Sequence, residues 1–471
     1  MRVLLVRAIA PNERFGLGPY FRIEPLGLEY VAAALEARGH AVRLLDLRFS
    51  PPLETVLSEW RPQLCGVASA HTLDTNEALA VARRIKAADP TIFTLVGGHA
   101  AAVYPSPFFE GAVDAVCCED GEQVAAELCD ALERGRPLME IRGLRLRVGD
   151  QFVATPTSVE RVSLDLAPLP ARHLVRNIQK NYLCLNKKPV YLVETARGCP
   201  FRCSFCTIWQ HVDRSFRCRN IGYVCQDLAS VGKNVFIADD LFWHPKARSL
   251  ELAKEIHRRG IRKDWVLVQT RTDLVARSAD LLAAWRPFAK EFDIFFGFEA
   301  PTDAGLDGLT KDSSTKDIEA AVEVCERLGY GVTGNFIIDP AWGEDDFRKL
   351  WEFKERLGLY RAGYTILTPL PGTTHFEQMK NRIQEWDWSK YDMHHLLWEP
   401  RLGRQRFFEL FAESWKRTVV HAKGVKPWWS WLLDVRPYQI PYMIGVLYRT
   451  QRLMDPRAYL KEAFSPNGPT P

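Results

Sequence analysis

The sequence lacks any apolar run long enough to cross a bilayer. Its most lipid-compatible stretch, Tyr438-Gln-Ile-Pro-Tyr-Met-Ile-Gly-Val-Leu-Tyr448, is about half of the ~20 residues that a spanning helix requires. A strong charge of one sign is missing too: 62 Lys and Arg stand against 58 Asp and Glu, a formal net charge of +4 over 471 residues. That balance excludes the basic footprint of a nucleic-acid partner. The apolar start Met1-Arg-Val-Leu-Leu-Val-Arg7 is closed by Arg7 and followed by Pro11-Asn-Glu13, so it reads as a first strand rather than a signal peptide. No G-x-G-x-x-G follows that strand, which removes the main support for a dinucleotide site. With no export signal, the eleven cysteines point to a reducing cytoplasm and a chain free of disulfides.

Against these absences one stretch stands out. Ala196-Arg-Gly-Cys-Pro-Phe-Arg-Cys-Ser-Phe-Cys-Thr207 places Cys199, Cys203 and Cys206 in a C-x3-C-x2-C spacing within one short loop. Three thiolates do not close a tetrahedral metal site. A cubane iron–sulfur cluster takes one sulfur per iron, so three cysteines leave one iron open to a small chelating ligand. Zinc would require a fourth ligand, and His211 lies five residues beyond Cys206; the uneven spacing speaks against zinc, whose knuckles use C-x2-C pairs across a longer gap. Cys65, Cys117, Cys118, Cys129 and Cys325 fall in strand or helix patterns and read as core. The seven-residue separation of Cys218 and Cys225 matches no cluster motif.

With Phe205 directly before the last cysteine, the triplet resembles the signature of the radical S-adenosylmethionine (SAM) superfamily. The resemblance implies a [4Fe-4S] cluster on the three cysteines, whose open iron binds the amino and carboxylate groups of SAM. It implies an electron donor such as flavodoxin or ferredoxin, and cleavage of SAM to methionine and a 5′-deoxyadenosyl radical. Such a radical removes hydrogen from carbon atoms that acid–base chemistry cannot activate, the cofactors carrying the difficult chemistry.

Residues 1–135 alternate short β-type runs at 3–6, 41–45, 64–68, 92–96 and 115–117 with helical patterns at 26–38, 54–60 and 76–87. This is the pattern of a doubly wound parallel α/β sheet, which binds ligands beyond the carboxyl ends of its strands. The loops there are Ser69-Ala-His71, Gly97-Gly-His-Ala100 and Glu119-Asp-Gly-Glu122. Gly97 and Gly98 permit close approach of backbone to a ligand. Placed ahead of the cysteine loop, a flavodoxin-like domain with Val96-Gly-Gly-His-Ala100 and Asp120-Gly-Glu122 resembles the cobalamin-binding domain of cobalamin-dependent radical SAM enzymes. The resemblance implies a cobalamin site at Ser69, His71, Gly97, Gly98, His99, Gly121 and Glu122. Many cobalamin proteins carry a D-x-H-x-x-G motif whose histidine ligates cobalt; none occurs here, so ligation by that device is not expected. His71 and His99 stand as substitutes against the plainer role of loop histidines in hydrogen bonding, and a domain that no longer holds cobalamin is the other reading.

Periodicity weakens over 136–185, a connector with a hairpin around Gly149-Asp150 and prolines that exclude a helix in Leu164-Asp-Leu-Ala-Pro-Leu-Pro-Ala171. Alternation then resumes. Over 186–380, six strand-type runs at 190–194, 234–238, 265–269, 293–298, 334–338 and 362–367 alternate with helical patterns, which matches the partial (β/α)6 TIM-type barrel that the resemblance implies. Parallel barrels place their chemistry at the C-terminal strand ends. The residues there are Asp239 and Asp240, then Gln269 and Arg271, then Glu299. By resemblance the aspartates receive the SAM ammonium, Arg271 pairs with the SAM carboxylate, and Glu299 meets the ribose hydroxyls. Pro369, in Thr368-Pro-Leu-Pro-Gly-Thr373, matches a segment that recurs beside SAM in this class. Adjacent aspartates after a strand also serve as turn and cap residues.

Residues 381–471 form a helical, aromatic-rich C-terminal region, with Trp386, Trp388, Trp398, Trp415, Trp428, Trp429 and Trp431. These aromatics, with Lys426 and Arg436 nearby, suit a cap packed on the barrel, peripheral membrane contact or a large apolar substrate. His394 and His395 are candidate acid–base or substrate groups. Phe21-Arg-Ile-Glu-Pro-Leu-Gly-Leu-Glu-Tyr30, Asp339-Pro-Ala-Trp342 and Tyr391-Asp-Met-His394 resemble the hopanoid C-3 methylase branch. The resemblance implies C-methylation of an apolar polycyclic substrate, a hopanoid or a tetrapyrrole such as a bacteriochlorophyll precursor. Two other enzyme and non-enzyme readings remain: oxidative cyclisation of a magnesium-porphyrin ester, and a cobalamin-binding sensor.

Overall fold

The apolar run after Met1 is buried on both faces, which is why it shows no alternation. In β1 (Arg2–Arg7), Val3 and Leu5 pack with residues of α1 (Leu26–Ala37) and α5 (Gly121–Arg134). Leu4 and Val6 pack on the other side, with α2 (Leu53–Trp60) and α3 (Thr75–Ala88). Around β1, the computed structural model builds a seven-stranded sheet in the order β2-β1-β3-β4-β5-β6-β7, with β2 (Ala41–Asp46), β3 (Leu64–Ala68), β4 (Phe93–Gly97), β5 (Ala115–Cys117), β6 (Leu144–Val148) and β7 (Gln151–Ala154). The first five strands are parallel, with Val3 opposite both Val42 and Leu64. A short α4 (His99–Val103) follows β4. The structure describes residues 1–8, 18, 21–158, 162–184, 186–211, 215–359, 361–419 and 440–461.

The hairpin expected at Gly149-Asp150 forms, but it is part of the sheet. β6 runs antiparallel to β5, with Ala115 opposite Leu146. The reason is physical: the outer edge of β5 needs a partner, and Leu144 and Leu146 fall on the face that packs with α1 and α5. The chain divides into two units, one comprising Met1–Glu13, Ile23–Tyr182 and Arg217–Tyr223, the other the remainder.

In the second unit, β8 (Tyr191–Val193), β9 (Asn234–Ile237), β10 (Lys263–Thr270), β11 (Ala289–Glu299), β12 (Gly331–Ile338) and β13 (Ala362–Ile366) form a parallel sheet in sequential order, the partial (β/α)6 barrel expected. Its helices are α6 (Ile208–His211), α7 (Ile221–Ser230), α8 (Lys246–Arg258), α9 (Thr272–Ala276), α10 (Ala279–Trp285), α11 (Asp303–Gly308), α12 (Thr315–Leu328), α13 (Glu344–Arg356) and α14 (Thr374–Met379). Along β11, Phe292, Ile294, Phe296 and Phe298 are buried, and Phe292 meets Phe288 and Tyr330 edge-on or tilted. The alternate residues Asp293, Phe295 and Gly297 are only half-buried, a period of two that leaves the inner face of the strand partly open.

C-terminal helices α15 (Arg404–Val419), α16 (Ile440–Leu453) and α17 (Pro456–Lys461) follow. α15 packs through Phe407 on Phe347 of α13, at 5.8 Å, and through Phe408 on Tyr459 of α17, at 5.1 Å. Trp428, Trp429 and Trp431, with Lys426 and Arg436, lie outside the described residues. No helix among the described residues is long and apolar enough to cross a membrane.

Candidate active site

The cysteine loop leaves β8 through Thr195 and is tied down by the strand end next to it. Asp239, one residue beyond Ala238 at the end of β9, is 1% exposed. Its carboxyl accepts hydrogen bonds from Thr195 N at 2.6 Å, from Thr195 Oγ1 at 2.5 Å and from Ala196 N. Burial pushes its pKa up to about 7, against the downward pull of these bonds. Asp240 accepts from Gly198 N at 2.9 Å; the residue is exposed, yet burial of its carboxyl raises its pKa as well. Asp239 is consumed in holding the backbone that enters the loop, whereas Asp240 is the exposed one of the two at the strand end.

Farther along the loop, Cys206 N donates to Cys203 O at 3.1 Å and Trp209 Nε1 donates to the same carbonyl at 2.9 Å. Ser204 N donates to Leu309 O at 3.0 Å, and His375 N, in the first turn of α14, donates to Ser204 O at 3.1 Å. Cys203 is buried at 7% exposure, and Cys199 and Cys206 are half-buried. Burial raises all three thiol pKa values, that of Cys206 to about 12, and each of Cys199 and Cys206 is raised further by a neighbouring cysteine of the triplet. Three thiols within electrostatic reach of one another form an all-sulfur donor set, which suits iron–sulfur chemistry. Loading such a site releases protons.

Among the described residues, no three His, Cys, Asp or Glu side chains converge on a point where a single metal ion would sit. A tetrahedral zinc ion would draw sulfurs to roughly 3.8 Å of each other, whereas a cubane takes one thiolate on each of three irons.

Arg271, expected to face a carboxylate ligand, is already heavily engaged. Its Nε donates to Asp273 Oδ1 at 2.8 Å, one terminal nitrogen donates to Cys203 Sγ at 3.7 Å, and the other donates to the carbonyls of Lys311 and Asp312. Its guanidinium lies 3.7 Å from the centre of the Phe201 ring. Glu299 is buried and pairs with Lys311, Nζ to Oε1 at 2.7 Å. Gln269 is half-buried on β10, and Pro369 is buried in the segment leading to α14. His395 Nδ1 donates to Asp392 Oδ1 at 2.9 Å, in a segment joined to the end of β13 by Ile366 N donating to Met393 O at 2.7 Å. Thr195 and Lys311 belong to the site by geometry but carried no sequence signal, because a threonine after a strand and a lysine in a turn are ordinary.

In the first unit, the ends of neighbouring strands β3, β4 and β5 bring the three expected loops side by side. Ser69 N donates to Gly97 O at 2.7 Å and Ala100 N to Ser69 O at 3.2 Å. Ser69 is fully buried, and its Oγ makes no hydrogen bond. Gly98 has φ +106°, and a Cβ there would lie 2.6 Å from Ser69 O; one on Gly97 would lie 3.3 Å from Cys117 Cβ. His71 is exposed, with its N–H donating to Asp74 Oδ2 at 3.1 Å, and His99 is half-buried at the start of α4. Gly121 opens α5, where a Cβ would meet Val31 at 3.1 Å, and Glu122 is half-buried beside it. Asp120 pairs with Arg217 at 2.7 Å.

Comparison with known proteins adds four findings. Residues 18–129 match the B12 binding domain family. Over 395 residues the chain is 30% identical to the hopanoid C-3 methylase of Methylococcus capsulatus, covering 83% of this chain and 75% of that protein. It is 24% identical over 394 residues to the anaerobic magnesium-protoporphyrin IX monomethyl ester cyclase of Rubrivivax gelatinosus, covering 78% of this chain and 68% of that one. Among solved structures, the radical S-adenosylmethionine methyltransferase TsrM from Kitasatospora setae, with cobalamin and a [4Fe-4S] cluster bound, superposes with a TM-score of 0.66 at 19% identity, over 81% of this chain and 78% of that one. At that identity the superposition speaks for the fold.

Proposed function

The chain belongs to the cobalamin-dependent radical SAM family of the hopanoid C-3 methylase, and from that premise we propose that it transfers a methyl group to an unactivated carbon of an apolar polycyclic substrate, a hopanoid-type lipid or a tetrapyrrole. When bound, the [4Fe-4S] cluster, SAM and cobalamin supply one-electron reduction, carbon-centred radical chemistry and a methyl group for transfer. The observation that carries the reading is the Cys199–Cys203–Cys206 loop at the C-terminal mouth of a partial (β/α)6 barrel, in a chain that also holds a B12-binding sheet.

The chain's own residues are assigned accordingly. Cys199, Cys203 and Cys206 hold the cluster, and Asp239 with Thr195 fixes the backbone that presents it. Asp240, the exposed one of the two aspartates, suits the SAM ammonium; Gln269, Glu299 and Pro369 frame the rest of SAM. In the first unit, the buried Ser69 hydroxyl and the tight glycine contacts at Gly97 and Gly98 suit a cofactor laid over backbone, with His71, His99, Gly121 and Glu122 at its border. All eleven cysteines are free, which accords with a reducing cytoplasm and with reduction by a flavodoxin or ferredoxin. Peripheral membrane contact draws support from α16, where Ile444 and Tyr448, four residues apart, are 61% and 64% exposed.

The similarity to the magnesium-protoporphyrin ester cyclase supports a second reading, ring closure without added carbon. Anaerobically reconstituted protein incubated with SAM, cobalamin and hopanoid or tetrapyrrole pools separates the two by product mass. Gain of one CH2 unit supports methyl transfer; ring formation with no added carbon refutes it.

A further inference from the structure

We propose that Lys311 and Arg271 act as a cationic clamp on Cys203 that raises the reduction potential of the cluster, with Glu299 setting how much of the Lys311 charge is felt. This rests on the reading that the three cysteines hold a [4Fe-4S] cluster.

The clamp is built from buried charged groups that meet beside the cysteine loop. Lys311 and Glu299 are buried side by side, with Nζ and Oε1 at 2.7 Å. Arg271 touches Cys203 Sγ directly, at 3.7 Å, and the same guanidinium donates to the Lys311 carbonyl. Ser204 N, the residue after Cys203, donates to Leu309 O at 3.0 Å, so the turn that carries Lys311 lies against the loop that carries the sulfur.

The turn that delivers Lys311 is strained. Thr310 and Asp312, on either side of it, have φ of +53° and +50°, and Glu299 has φ of +62°. None of these is glycine, and such conformations persist only where the surroundings over-determine them. Here they are over-determined by Arg271, which donates to the carbonyls of Lys311 and Asp312, and by Lys311 N donating to Leu306 O at 3.0 Å. The same turn meets the cysteine loop through Ser204 N and Leu309 O. One arginine thus braces the turn and contacts the cluster ligand.

The consequence follows from charge. A low-potential donor, dithionite in the assay or a flavodoxin- or ferredoxin-type protein, passes one electron to the cluster, which becomes more negative by one unit while no bond of the chain changes. Buried cations beside a cluster sulfur stabilise that reduced form, and charge near the sulfurs is one of the determinants of cluster potential.

The test is a redox titration of anaerobically reconstituted full-length protein, followed by electron paramagnetic resonance, with iron and sulfide measured in every sample. Lys311→Met is expected to lower the reduced-to-oxidised ratio at fixed potential about tenfold, ~59 mV for one electron. Glu299→Gln is expected to raise it by a similar factor, and Lys311→Arg to restore most of the wild-type value. Shifts of opposite sign are the signature, since a purely structural role would move both variants the same way. If Lys311→Met fails to take up iron, Glu299→Gln decides alone: an upward shift supports the clamp, and no shift or a downward one overturns it. Wild-type protein that takes up neither iron nor sulfide overturns the cluster reading itself, which is a different failure.

Discussion

Replacing Gly98 with alanine tests whether the loops after β3 and β4 are locked together backbone to backbone. Gly98 sits at φ 106°, ψ 171°, a region essentially reserved for glycine, where another residue costs about 1–3 kcal/mol. An added Cβ would also lie 2.6 Å from Ser69 O and 2.9 Å from Ser69 C. Those atoms do not yield cheaply, because Ser69 N and Ser69 O are both engaged, with Gly97 O at 2.7 Å and Ala100 N at 3.2 Å. Displacing them weakens two hydrogen bonds worth ~1 kcal/mol each. The total is about 3–5 kcal/mol. Gly135 is the internal control: it also has positive φ, +64°, but a Cβ there meets nothing within 4 Å, so alanine costs only about 1–2 kcal/mol. Thermal unfolding of the apo full-length chain, followed by circular dichroism, should show the first transition of Gly98→Ala well below that of Gly135→Ala, with each kcal/mol worth about 2–4 °C for a unit of this size. Cobalamin binding, read from visible absorbance, should weaken in Gly98→Ala alone. Equal destabilisation by the two substitutions would refute the reasoning.

Other outcomes follow from the second unit. Cys203→Ala should lose most cluster iron and its visible absorbance, whereas His211→Ala should keep both; loss in His211→Ala would revive a histidine ligand. Asp240→Asn should weaken SAM binding without lowering iron content, measured by equilibrium dialysis; unchanged affinity would remove Asp240 from the SAM site. Asp239, pushed from an ordinary 3.8 to about 7, stays protonated in the folded chain at pH values where it ionises in the unfolded one. Its favourable contribution is fully present below about pH 3.8 and is lost as pH rises through about 7, on the order of 4 kcal/mol in all. Asp239→Asn keeps an acceptor without the ionisation, so its melting temperature should fall less than wild type across that window; parallel pH profiles would contradict the assignment.

Much of the fold was legible because its signals are local. Val3–Val6 reads as a strand buried on both faces, and the alternation of β-type and helical runs placed both sheets. The cysteine spacing pointed to cluster chemistry without any tertiary information, since one short loop carries all three thiols. Strand ends were legible as well, because a parallel sheet presents its chemistry there. Position at a strand end, however, does not say what a side chain already holds. Asp239 and Asp240 are identical in sequence terms, yet Asp239 is buried against Thr195 while Asp240 is exposed.

What the sequence determined by itself is the pair of parallel architectures and the three-thiol loop, because each follows from spacing along a continuous stretch. What only the tertiary structure decided is how charges far apart in the chain meet. The Gly149 hairpin joined the first sheet because the free edge of β5 and the apolar face of Leu144 and Leu146 demanded it. Arg271, expected from its strand end to face a ligand, also braces the fold, donating to Cys203, Asp273 and the strained turn at Lys311. The turn that carries Lys311 meets the cysteine loop, Ser204 N to Leu309 O at 3.0 Å, only because its two left-handed non-glycine residues are held in place from outside, and no local pattern encodes a contact between residues separated by more than a hundred positions.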